Sequence, residues 1–214
     1  MQHWLSRVEF VAVAGCLLLV SAMLPPAMLV ARDQERELAC QDRLRHLGTA
    51  FTQYESVYGG LPPRRSGFND GNPYGGWGGH ILPYLGPVDQ VGQYDLQYDF
   101  FDPKNKAVVE ASRPTFLCPA SPVDRFVQIQ SQASTKSLNP DKDTVFTCKA
   151  SAVDFIASNG VLMARNGYGI NALGQDRGIG NQRQPMADNV TLPLSKVTDG
   201  LSNTLLLIEQ SGRP

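Results

Sequence analysis

From Phe10 to Ala31 the chain runs 22 residues without a charge, with Glu9 before it and Arg32-Asp33-Gln34-Glu35-Arg36-Glu37 directly after. A helix of about 20 predominantly apolar residues spans the hydrocarbon core of a bilayer, so the run predicts a membrane span. No small-residue cleavage site and no Gly or Pro break follows Ala31, which predicts that the helix continues outward into a charged and then amphipathic segment. Beyond the charges the apolar positions fall at Cys40, Leu44, Leu47, Phe51, Tyr54 and Tyr58, in steps of 4, 3, 4, 3 and 4. That spacing draws one stripe along a helix face, and a stripe must be covered. Asp42, Arg45, Gln53 and Glu55 fall on the face left to water. Gly59 and Gly60 supply a C-terminal stop, and Pro62 and Pro63 forbid continuation.

After residue 59 the periodicity becomes short and broken. Ser66 to Gly79 is a Gly-rich loop carrying Tyr74 and Trp77, with no Lys-Ser/Thr that would make it a phosphate cradle. His80 to Leu85 is a short apolar piece, and Pro103 to Ala111 reads as a brief helix. Thr115 to Cys118, Phe155 to Ala164, Thr191 to Val197 and Thr204 to Glu209 read as short strands, the last launched from the Asp199-Gly200 turn. Residues 121–150 are polar and read as a surface excursion, although Phe126-Val127-Gln128-Ile129 alternates like a strand. The expected architecture is α+β and pilin-like. One long N-terminal helix, half in the membrane, packs its outer half (32–58) on a small antiparallel sheet with long loops.

Composition narrows the function classes. With 19 Lys plus Arg against 20 Asp plus Glu, the charge balance recommends no nucleic-acid partner. Arg7 is the one strong cation ahead of the span, which places the N-terminus in the cytoplasm and residues 32–214 outside, where disulfides are permitted. Cys40 lies on the stripe and Cys118 ends a predicted core segment before Pro119, so the two can meet under the sheet, and a bridge is preferred over two free buried thiols. Cys148, in the polar excursion, is then odd, either free or paired between chains. Cys16 follows Val13-Ala14-Gly15, a lipoprotein-like box, but Leu17 to Ala31 stay apolar where a lipoprotein turns polar.

The succession of the N-terminal apolar helix, ARDQERELACQDRLRHLGTAFTQYESVYGGLPP, GWGGHILPYLG, YDFFDPKNKAV, FLCPAS and VTDGLSNTLLLIE resembles the large planctomycete family of prepilin-type, type II secretion pseudopilin-like proteins. The resemblance covers most of the chain and implies an architecture and a secretion-type address more firmly than an activity. It puts Glu9 at the position of the pilin glutamate that neutralises a neighbouring subunit's free amine during assembly, and Pro26 at the position of a helix-kinking proline. The same register puts Trp4 where the processing peptidase expects Gly, a departure from the family's pattern. The expected protein is a membrane-anchored envelope or secretion-system subunit, partnered by other pilin-like subunits or envelope proteins.

A second class is an extracytoplasmic ligand- or carbohydrate-binding module, with Tyr74, Trp77 and Tyr84 as its aromatic platform. An enzyme is not expected, because no HxH, HExxH, CxxC or GxSxG occurs and no acid/base pair can be assembled. His46 and His80 read as structural, and no cofactor is implied. Asp199 and Asn203 have the oxygen spacing of a weak Ca2+ loop, but a turn held by local backbone hydrogen bonds is the preferred reading.

Overall fold

The computed structural model describes residues 2–86, 92–122, 125–158, 163–164, 167–168, 185–198 and 200–210. Helix α1 runs Gln2–Tyr58 without interruption through Pro26. Its end follows the expected chemistry: Gly59 takes a left-handed φ of 74° and donates its N–H to the Glu55 carbonyl at 2.7 Å. Gly60 passes so close to the Leu192 carbonyl that a Cβ there would lie 2.5 Å from its oxygen, which seats the chain leaving α1 directly against a late segment of the head.

The predicted stripe is the side of α1 that the head covers. Leu47 is 0% and Phe51 2% exposed, and Cys40, Ala50 and Tyr54 are buried with them. Phe51 stacks at 5.4 Å on Trp77, Trp77 meets Phe116 edge-on at 5.6 Å, and Ile81, Leu85, Phe155 and Met186 complete the same cluster. Tyr58 departs from the expected stripe: it is 57% exposed, with its ring 4.4 Å from that of Tyr54. Before Cys40 the helix leaves the head. Phe10, Val11, Val13, Leu17 to Leu19 and Met28 to Val30 are all exposed. Among the described residues, no helix is long and apolar enough to cross a membrane.

The head is α+β, with the long N-terminal helix joined to small antiparallel pairings in place of the single sheet expected. The pairs are β1 (Arg65–Ser66) with β2 (Gly75–Gly76), β3 (Phe126–Gln132) with β4 (Val145–Ser151), β5 (Phe155–Ala157) with β8 (Leu207–Glu209), and β6 (Met163–Ala164) with β7 (Gly167–Tyr168). Helix α2 (Trp77–Ile81) follows β2, and α3 (Lys106–Glu110) packs on β4. Thr115 to Cys118 does not form a strand. Pro114 fixes φ at the start of a 3-10 turn, Pro114–Phe116, and the same happens after Pro193, where Leu194–Lys196 is a 3-10 turn. Residues 121–150 are no peripheral excursion either: they contain the longest ladder, seven paired residues from Phe126↔Ser151 to Gln132↔Val145. Along β4 exposed Thr147 and Lys149 alternate with Cys148, which is buried at 1% exposure, so the strand presents an apolar face that composition alone hides.

The loops between these short elements are tied by buried side-chain oxygens. Asp99 accepts from the backbone N–H groups of Tyr74 (2.8 Å) and Ser134 (2.9 Å). Asn105 accepts from the Asp95 N–H at 2.8 Å and donates to the carbonyls of Asp95 and Asp99 at 3.0 and 3.1 Å. Asp154 receives the Cys118 N–H at 2.7 Å and the Arg125 guanidinium.

Because Phe51 is 2% exposed and stacks on Trp77 in the middle of the core cluster, Phe51→Ala should lower the unfolding free energy of the full chain by about 3–5 kcal/mol. Gln53→Ala, on the exposed face, should stay within about 0.5 kcal/mol of the parent. Chemical-denaturant melts of both variants check this, and equal midpoints would mean that α1 is not held through the stripe.

Candidate functional site

Where α1 enters the head, three segments distant in sequence converge. Cys40 comes from the first buried position of the stripe, Cys118 from the loop after the Pro114–Phe116 turn, and Glu209 from the end of β8. Their two sulfurs and a carboxylate oxygen all lie within 4.8 Å of one another. The Cys40 thiol donates to Glu209 Oε2 at 2.9 Å. Backbone fixes the rest. The Ala120 N–H points at Cys118 Sγ (3.4 Å), the Gln210 N–H donates to the Asp154 carbonyl at 2.6 Å, and Arg43 of α1 donates to the Leu117 carbonyl. Cys40 and Cys118 are both free thiols here, so the expected bridge is not formed in this structure, although its two sulfurs are brought together.

Burial, reinforced by the hydrogen bond to Glu209, pushes the Cys40 thiol up to about 12. At neutral pH this sulfur is therefore a protonated donor and a poor nucleophile. Two outcomes are chemically open to such a trio. The sulfurs can join as a disulfide, or two thiolates and a carboxylate can hold a zinc-type ion with a fourth position for water. The disulfide requires the thiolate as the attacking species, which favours bond formation before the cluster is enclosed.

The other residues singled out by the sequence are dispersed. Tyr74, Trp77 and Tyr84 do not share a platform: Trp77 is buried between Phe51 and Phe116, Tyr84 stands edge-on to Tyr54 at 6.0 Å, and Tyr74 lies against Phe101 at 6.5 Å. The apolar character that suggested a platform is spent on the core. Asp199 lies outside the described residues. Asn203 closes the 3-10 turn Leu201–Asn203 by donating its N–H to the Gly200 carbonyl at 3.1 Å. Glu9 is exposed on α1, and Cys148, buried on β4, has its thiol pushed up by burial. His80 lies in the apolar surroundings that the sequence suggested. Its Nε2 is buried with no hydrogen-bond partner among the described residues, its ring is edge-on to Tyr54, and desolvation lowers its pKa to about 4.

Sequence reasoning missed Glu209 as a member of the cluster, because a lone carboxylate at the end of a short strand carries no local signal. Asp154 was equally silent. Asp99, Asp102 and Asn105 were visible only as letters of the YDFFDPKN motif, whose density of Asx residues around a Pro is the mark of backbone-binding turns.

With the fold and cluster in view, comparison with known proteins gives one assignment. Residues 30–214 match the family described as protein of unknown function DUF1559 (SBP_bac_10), and the chain belongs to that family. The match takes in the amphipathic half of α1 and everything after it. No curated protein and no solved structure matches.

Two measurements test the cluster. Peptide mapping of oxidised, folded protein without reduction should recover Cys40 joined to Cys118, a closure of about 80 residues that constrains the unfolded chain by about 4 kcal/mol on the chain-entropy estimate. Recovery of both as free thiols would refute the bridge, and thiols masked until a chelator is added would point to metal instead. His80 gives a pH signature. Its folded pKa of about 4 lies below the ordinary 6.5, so the unfolded chain binds the extra proton and stability falls as pH drops through that window. Between pH 7 and pH 5 the parent should therefore lose on the order of 1–2 kcal/mol more than His80→Leu, as read by denaturant midpoints.

Proposed function

We propose that this chain is a membrane-anchored, pilin- or pseudopilin-like subunit of the cell envelope or a secretion system, acting through protein contacts and not as an enzyme. The observation that carries the reading is the division of α1. Its outer half is enclosed by the head, while its inner half exposes Phe10, Val11, Leu17, Leu18, Leu29 and Val30. Water does not tolerate such a contiguous apolar surface, so it calls for a bilayer or for other apolar helices. The uncharged run from Phe10 to Ala31 supports the bilayer.

In this reading residues 32–214 lie outside the cytoplasmic membrane. Glu9, at the cytoplasmic edge of the apolar surface, is the residue offered to a neighbouring subunit. The helical backbone through Pro26 then carries position and orientation from the membrane to the head without a joint. An oxidising compartment also suits the thiol pair, since the bridge would hold the helix in the head where the membrane portion begins.

A reporter that is active only after export, fused behind Pro214, should be active, and the chain should sediment with membranes and resist extraction at high salt and high pH. Activity of a strictly cytoplasmic reporter at the same junction would reverse the topology and end this proposal.

A further inference from the structure

Between α2, α3 and the adjoining ends of β4 and β5 lies a cavity of about 540 Å3, within the size range of small-molecule sites. Its walls are mainly apolar and include the rings of Trp77, Phe100, Phe116 and Phe155. The charged side chains that reach it are of one sign. Arg64, Arg65 and Arg113 line it, and among the described residues no Asp, Glu or Lys does. An occupant that matches both features has a flat apolar body and a negative charge.

Arg65 is the residue placed to receive that charge. The nearest carboxylate, Asp188, is 2% exposed and already accepts two hydrogen bonds from Arg64, from Nε at 2.9 Å and from Nη2 at 2.8 Å. Arg65 adds a third through one Nη2 alone, at 2.9 Å, and remains 43% exposed. The face of its guanidinium lies 3.5 Å over the Phe68 ring, which restricts the plane in which its exposed donors are offered. A planar guanidinium that keeps N–H groups exposed beside an apolar cavity is shaped for a carboxylate. We infer that the cavity is a binding site for a small aromatic monocarboxylate, its ring held among Trp77, Phe116 and Phe155 and its carboxylate on Arg65.

The inference concerns the head alone and does not rest on the envelope-subunit reading; the nanodiscs serve only to cover the exposed apolar residues of α1. The full chain in lipid nanodiscs is titrated calorimetrically with 2-naphthoate, with its neutral methyl ester and with the cationic 2-naphthylmethylamine, each against chain-free nanodiscs. Naphthoate should bind at one site per chain, and the ester and the amine at least about tenfold more weakly, the range expected for a charge-assisted hydrogen bond. Arg65→Gln should remove about that tenfold preference while leaving the ester unchanged, with Arg64 still holding Asp188. Gly76→Trp tests the space itself. Gly76 lines the cavity, its backbone is ordinary extended chain at φ −123° and ψ 168°, and a Cβ there meets nothing within 4 Å. The ring should therefore be accepted without unfolding and should abolish binding of naphthoate and ester alike. Equal binding of the three probes, or naphthoate affinity unchanged in both variants, would overturn the assignment. So would binding that merely scales with lipid and shows no defined stoichiometry.

Discussion

The head depends on one packing constraint: a helix longer than the head must be covered along the stripe from Cys40 to Tyr54. The strands available for the purpose are two to seven residues long and paired only in twos among the described residues, and an isolated two-stranded ladder is marginal in water. None of them supplies a core of its own. Phe51 and Leu47 provide the surface on which Trp77, Ile81, Phe116 and Phe155 assemble, so the helix acts as template for the rest.

A loop-rich head built on a template has a second requirement, which is to satisfy the backbone groups that no sheet pairs. Buried carboxylates and amides meet it. Asp99 ties the segment before α2 to the loop after β3, Asp154 ties the Cys118 loop to β5, and Asp188 takes both Arg64 and Arg65 at the exit from α1. Each carboxylate accepts at least two donors, the condition under which a buried carboxylate stabilises a fold instead of weakening it. The same device explains the arginines around the cavity. They fix loops, and one of them, Arg65, stays partly exposed while doing so.

What the sequence made legible follows from the range of the interactions. The α1 stripe, its glycine stop and the alternation at Phe126–Ile129 are periodic or local, and they read directly. The Pro-initiated turns at Pro114 and Pro193 read as strands because short apolar runs are ambiguous, and the Pro that decides them acts on a single φ. Residues 121–150 read as surface because burial along β4 alternates with polar positions, so the mean composition hides the buried face. The meeting of Cys40 and Cys118 was foreseeable from the stripe and the core segment, whereas Glu209 and Asp154 were not. Their roles exist only once residues more than a hundred positions apart, or on loops of no periodicity, are brought together. The cavity was invisible for the same reason, and Tyr74, Trp77 and Tyr84 stand apart because Trp77 packs between Phe51 and Phe116, Tyr84 meets Tyr54 and Tyr74 meets Phe101.

The position of the thiol cluster along α1 carries a mechanical consequence. Cys40 is the first stripe residue to be buried, so it marks the point where the exposed half of the helix becomes the enclosed half. Any tilt or pull on the exposed half acts with its longest lever at that point, because helix α1 has no break between the two halves to absorb it. The hydrophobic contacts further in, from Leu47 to Tyr54, resist separation but are non-directional and do little against rotation or axial slip. Directional restraints stand at the entrance instead, where Arg43 donates to the Leu117 carbonyl and Cys40 donates to Glu209. A covalent Cys40 to Cys118 link at the same level would turn those restraints into a fixed hinge point. The head would then move with the helix as one body, which is what the proposed envelope subunit would need.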